Sequence, residues 1–281
     1  MNADFERHLE TRGARIDAGT VIDFGSPQEE LAAIEHAAVL VPLSHLGLIR
    51  ASGADAIGFL HSLLTSDVRK LAAGKAQYSG LCTAKGRLLA GFLVWRSSDD
   101  LLLQTSRDLK DSVLKKLSMY ILRSKVKLSD ADPQCVLIGL AGAGAADALA
   151  GSGLPAPAAM ETVDFGGGNI IGLGASRWQL CVAIEQAAAL WEALAVVAQP
   201  AGENVWRLLD IRAGVPRVSA ATQDELVPQM ANFELIGAVS FQKGCFPGQE
   251  VVARAQYLGK LKRRMYLVHC EGAARPEPGT Q

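Results

Sequence analysis

The 281-residue chain weighs 29.7 kDa, is 49% hydrophobic and 20% charged, and carries a formal net charge of −1. This is globular composition with room for about two domains, and it excludes both a disordered chain and a protein that coats nucleic acid or acidic lipid through bulk charge. With no run of about 18 uncharged apolar residues and no cationic start followed by an apolar segment, a soluble cytoplasmic protein without membrane contact is expected.

The first clear element is a strand over 46–53 that ends at a helix N-cap, Ser52, followed by Ile57, Leu60 and Leu64 at helical spacing. Strands are predicted over 76–83 and 88–96, joined by the turn Ala84-Lys85-Gly86-Arg87, with a third over 101–105. Ser106 stands where it caps the next helix, whose Leu109, Val113 and Leu117 share a face, and Val126 opens a further strand. A second series follows: a strand over 135–140, a Gly-rich turn and short helix, a hairpin over 163–173, a strand over 178–184 and helices over 187–198 and 205–213. Two related α+β units are therefore expected. The Gly-rich turn Gly139-Leu140-Ala141-Gly142-Ala143-Gly144 has the strand-to-helix setting of a phosphate loop. Asp147 stands where such a loop takes a small residue, so close backbone packing is the better reading.

Charge is uneven along the chain. Residues 51–130 carry 13 basic and 7 acidic side chains, residues 131–242 carry 4 and 11, and residues 243–281 carry 7 and 3. Two basic blocks separated by an acidic one suit an anionic ligand if they converge. The five cysteines (Cys82, Cys135, Cys181, Cys245 and Cys270) are odd in number and widely spaced, which excludes a disulfide scaffold and a local zinc knuckle. Cys135 and Cys181 lie in apolar runs and read as small buried hydrophobes.

Cys245 differs. It sits in Lys243-Gly244-Cys245-Phe246-Pro247-Gly248-Gln249-Glu250, where Gly244 frees the backbone and Pro247-Gly248 fits a type II turn. Lys243 brings a cation that favours a thiolate, and Gln249 and Glu250 open a short helix with polar groups that fix the loop. This octapeptide, followed by Val252-Ala253-Arg254 and Tyr257-Leu258-Gly259, resembles the signature of the YgfZ-type folate-binding proteins. The resemblance extends to Ser52-Gly53, Asp55-Ala56, Phe59-Leu60, Lys85-Gly86-Arg87, Arg212-Ala213-Gly214-Val215-Pro216, Pro228-Gln229 and Asn232, and covers about 46–264.

The resemblance implies an aminomethyltransferase (T-protein)-like fold: two related α+β units with antiparallel or mixed sheets around a central channel, plus a C-terminal β-barrel. It places the first, folate-binding unit at 1–130, the second unit at 131–240, and the signature loop with the start of the barrel at 241–281. The segment 262–270 reads as one strand of that barrel, which is cut short at Gln281. The implied cofactor is tetrahydrofolate or a derivative, and the implied role is accessory to iron–sulfur cluster assembly or maintenance, including that of tRNA-thiolating enzymes. Cys245 would be the working thiol, with Lys243, Gly244, Gly248, Gln249, Glu250, Arg254 and Arg212 on the folate side; Arg212 stands where the transferases place an acidic pocket residue. The implied partners are reduced folate and iron–sulfur client or assembly proteins; separately, the basic cluster Lys260, Lys262, Arg263 and Arg264 suits a weak contact with RNA or a partner protein, or a solvated face. The alternative is a folate-dependent aminomethyl or methyl transferase. Against it, the position of the transferases' carboxylate falls on Ala90 and Gly91, which hold no proton.

Overall fold

Strand side chains alternate between the two faces of a sheet, and here both faces are apolar. The computed structural model describes residues 2–259 and 261–269. Its elements run in the order α1 (Ala3–Thr11), β1 (Arg15–Asp17), β2 (Thr20–Asp23), α2 (Pro27–Ala33), β3 (Ala38–Pro42), β4 (Leu46–Ser52), α3 (Ala56–Leu63), β5 (Ala76–Cys82), β6 (Leu88–Ser97), β7 (Asp100–Ser106), α4 (Arg107–Ser118) and β8 (Lys127–Asp130). The second half adds β9 (Cys135–Gly142), α5 (Ala145–Gly151), β10 (Thr162–Phe165), β11 (Gly168–Gly174), β12 (Arg177–Ala183), α6 (Ile184–Ala195), β13 (Gln199–Pro200), α7 (Glu203–Arg212) and α8 (Gln249–Tyr257).

A five-stranded antiparallel sheet has the order β5-β6-β7-β4-β8, and a six-stranded sheet has the order β10-β11-β12-β9-β3-β13, in which only the β13–β3 pair is parallel. In β6, Leu88, Ala90, Phe92 and Val94 face α3 and α4, while Leu93 and Trp95 face the other sheet. In β9, Val136, Ile138 and Leu140 face α1, α5 and α6, while Leu137 and Ala141 turn inward. The result is four layers, helix–sheet–sheet–helix, with an apolar stratum between the sheets. This is the α+β architecture of antiparallel and mixed sheets that the resemblance implies.

Several expectations are corrected. Ser52 ends β4, and Asp55 holds the N-cap position of α3, where its carboxylate accepts from the Lys125 amide at 2.7 Å instead of capping the helix. Ser106 does precede α4, but its hydroxyl donates to the Val218 carbonyl at 2.6 Å, tying the strand to the 215–218 loop. The close-packing reading of the Gly-rich turn holds: it lies between antiparallel strands, and a Cβ on Gly142 would stand 2.3 Å from the Ala37 carbonyl oxygen. A boundary at 130 does not separate the sheets, because β3 from the N-terminal segment pairs with β9. No strand forms over 261–269, and no barrel is present among the described residues; Cys270 and everything after it lie outside them.

Candidate functional site: an inter-sheet channel and a thiol loop

The apolar stratum is interrupted by polar side chains. Gln104 replaces an inward-facing aliphatic residue of β7, and Gln179 does the same in β12. With Tyr78, Ser79, Gly91, Thr105, Asp210 and Arg217 they line a cavity of about 70 Å³. Gln179 is fully buried, and neither its amide oxygen nor its nitrogen has a hydrogen-bond partner among the described residues. The same is true of Gln104 Oε1 and Thr105 Oγ1. Each unpartnered buried polar atom costs about 1–3 kcal/mol, so a cluster of them marks a place kept for something other than stability.

One wall is built by α7. Gly139 has no side chain, and Trp206 fills the space; a Cβ there would stand 2.4 Å from the indole Cζ3. The guanidinium of Arg177 lies 5.8 Å from the Trp206 ring centre and donates to Asp210 Oδ1 at 2.8 Å. Burial raises the Asp210 carboxyl to about 6 against the opposing pull of Arg177. Burial, and then the Asp210 charge, raise the Tyr78 phenol to about 12. The cavity continues into a wider cleft of about 560 Å³ lined by Asp210, Arg217, Asn232 and Met265–Val268. Asn232 Nδ2 donates to the Met265 carbonyl at 2.9 Å, and Arg264 pairs with Glu234 at 2.6 Å, which seats this segment at the mouth.

The thiol loop lies at the α3 end of the first sheet. Gly248, at φ +78°, is the N-cap of α8, and a Cβ on it would stand 2.3 Å from the Thr83 carbonyl oxygen. The helix thus starts against the β5–β6 turn, where Gly86 leaves room for Val251. Gln229, buried, donates to the Val252 carbonyl at 2.7 Å and holds the helix from the other side. Cys245 is exposed. Cys82, by contrast, is buried and its thiol is pushed up to about 12; Cys181 is buried as well. Cys135 is half-buried, with its thiol donating to the Ala131 carbonyl at 3.4 Å.

Lys243 behaves differently from the sequence reading. Its side chain is buried, and Nζ donates to the carbonyls of His61 and Leu64 at the end of α3, with the Phe246 ring centre 5.1 Å away. Burial lowers its ammonium to about 8. It is a clamp between loop and helix before it is a charge for the thiol. The other expected residues divide. Gly244 and Gly248 shape the loop. Gln249 is half-buried at the first turn of α8, Glu250 is exposed beside it, and neither side chain hydrogen-bonds another described residue. Arg254 is exposed on α8 and does not line the channel. Arg212 lies on the outside of α7, paired with Glu35 at 2.6 Å, and the channel-facing charges of that region are Asp210 and Arg217. Gly91 lines the channel, with Phe233 Cζ 3.0 Å from where its Cβ would stand, whereas Ala90 faces the helix layer. Sequence reading missed Gln104, Gln179 and Asp210; the available signal was a glutamine at an inward position of an otherwise apolar strand.

The comparisons agree with this architecture. The family model described as the GCVT N-terminal domain matches residues 20–169. The chain is 35% identical over 243 residues to the tRNA-modifying protein YgfZ of Yersinia pestis, covering 85% of this chain and 73% of that one. It is 33% identical to the YgfZ of Sodalis glossinidius over the same share of this chain and 74% of the relative. Among solved structures, the glycine cleavage system aminomethyltransferase T of Bartonella henselae superposes with a TM-score of 0.80 at 21% identity, covering 91% of this chain and 74% of its own. The shared fold, the signature loop and identity at this level over most of the chain place it in the YgfZ family of the T-protein-like superfamily.

Proposed function

We propose that the channel binds a reduced folate, tetrahydrofolate or a derivative, and that the protein serves iron–sulfur enzymes of tRNA thiolation with Cys245 as its working thiol. The observation that carries the folate reading is the pair of inward-facing amides with unpartnered buried atoms, Gln104 and Gln179. A pterin edge offers alternating donors and acceptors, which the two amides and the Asp210 carboxylate can satisfy. Arg217, on the wall shared by cavity and cleft, suits the anionic glutamate tail. A bound reduced folate would supply one-carbon units carried on its amine nitrogens; the channel residues would bind it, orient it and exclude water. The tRNA role is supported by the relatives' names, and the thiol role by the exposed, doubly anchored position of Cys245.

Calorimetry with tetrahydrofolate on the wild type and on Gln179→Leu tests the binding reading. The apolar variant removes two unpartnered polar atoms, so it is expected to match or exceed wild-type stability while losing tenfold or more in affinity, about 1.4 kcal/mol. Equal affinity in the two proteins would sink it. The cellular role is tested in a bacterium lacking its own family member, by the activity of an iron–sulfur tRNA-thiolating enzyme. Rescue by this chain and not by Cys245→Ala is expected. Equal rescue would remove Cys245 from the role.

A further inference from the structure

We infer that His61 and Asp67 complete a thiol–imidazole–carboxylate site with Cys245, in which His61 takes the thiol proton before the sulfur attacks a soft electrophile. This deepens the reading of Cys245 as the working thiol and rests on it.

The histidine is held in place from several sides. His61 lies in the last turn of α3, with its side chain only 9% exposed and Nδ1 3.1 Å from Asp67 Oδ1, beside the carboxylate but off hydrogen-bond geometry. The adjacent negative charge favours the proton on Nδ1 and leaves Nε2 as the accepting nitrogen. Nε2 has no hydrogen-bond partner among the described residues, and it faces the signature loop, 3.8 Å from where a Cβ on Gly244 would stand. Cys245 is the next residue, its Cα about 3.8 Å further along the chain. The loop is fixed at this place because Lys243 donates to the carbonyl of His61 itself as well as to that of Leu64. Three consecutive residues therefore divide the work: Lys243 clamps, Gly244 brings the backbone beside the imidazole, and Cys245 supplies the sulfur.

The charged groups around His61 are Lys243, Arg69 and Asp67. Burial, then the Lys243 charge, hold the imidazole below its ordinary pKa against the pull of Asp67, so it is neutral, the accepting form, at neutral pH. In the proposed step the S–H bond breaks, an Nε2–H bond forms, and the electron pair stays on sulfur. Asp67 balances the imidazolium. The sulfur then forms a bond to the carbon or sulfur of the electrophile, whose leaving group departs with its electron pair, and the imidazolium proton passes to solvent. In this step His61 is the proton acceptor, and Asp67 is a positioning residue.

Alkylation of the whole chain by iodoacetamide, read by mass spectrometry on the tryptic peptide Gly244–Arg254, tests this. An unassisted thiol gains about tenfold in rate per pH unit below its own titration. With His61 as acceptor, the wild-type rate is expected to stay within about twofold between about pH 6.5 and 7.5 and to fall below that as the imidazole protonates. His61→Gln is expected to show the full tenfold slope and about tenfold slower alkylation at pH 7. Asp67→Asn, which keeps the histidine and loosens its orientation, is expected to slow the reaction about threefold. It carries the test if His61→Gln loses its near-ultraviolet circular dichroism. Parallel profiles in the wild type and the folded variants would overturn the inference. The readout passes through neither folate nor cluster chemistry: equal cellular rescue by Cys245→Ala would remove the proposed role and leave the profile standing, and parallel profiles would remove the His61 site and leave the rescue result standing.

Discussion

Asp210 shares its wall of the channel with Arg177 and Arg217, and burial has lifted its carboxyl to about 6. An ionised Asp210 accepts two donors from a pterin edge, and a protonated one loses half of that capacity. Tetrahydrofolate affinity is therefore expected to fall as pH drops through about 6, and Asp210→Asn is expected to bind weakly with a flat profile; calorimetry between pH 5 and 8 decides, and a wild-type profile without a step in that window refutes it. Lys243 gives a second residue-scale expectation. Its replacement by Met keeps the buried stem and leaves the His61 and Leu64 carbonyls without their donor. A loss of about 1–3 kcal/mol is expected from urea unfolding, whereas a lysine serving only as a charge for the thiol would leave stability unchanged. The loop was legible in the sequence because its glycines, proline and cysteine are contiguous. The partners of Lys243 were not, since they lie about 180 residues earlier in the chain and no local pattern announces them. Arg212 was misread for a related reason: only two helical positions separate Asp210 on the channel face of α7 from Arg212 on its outer face.

The signature segment works as an element only through the turn it docks on. At Gly248 a positive φ coincides with a close approach to the Thr83 carbonyl and the Gly86 backbone. Ala at this position meets both the conformational cost of the left-handed region and a backbone clash that no side-chain rotation relieves. Gly248→Ala is expected to destabilise the protein by about 2–4 kcal/mol, with hydrogen exchange rising first in α8 and the β5–β6 turn. Protection retained there would show that α8 is held by Gln229 and Val252 alone. The strands β4, β6 and β7 and the β10–β11 hairpin were legible because each is an apolar, β-favouring run bounded by turn residues. The first 45 residues were not. Strand β1 has three residues and β2 four, too short for any period to emerge, and β3 is a continuous apolar run whose identity depends on the pairing with β9.

Pairing at that distance decides how the whole molecule holds together. The family match runs from residue 20 to residue 169 and so crosses from one sheet into the other. A chain divided at 130 would leave β3 on one side and β9 on the other, and would split the inter-sheet stratum, in which Leu48, Leu93 and Trp95 meet Leu137, Ile171 and Trp206. A fragment spanning 131–240 would carry β9 with an unpaired edge and expose the apolar face that the first sheet covers. It is expected to show no cooperative thermal transition by circular dichroism. The intact chain is expected to unfold in one step, with fluorescence from Trp95 in the first sheet and from Trp206 on α7, read in single-tryptophan variants, changing at the same temperature. An independent transition in the fragment, or separated midpoints for the two tryptophans, would show that each half has a core of its own. In that case the channel would lie between separable bodies, and its polar lining would have to be read as an interface rather than as a pocket inside one fold.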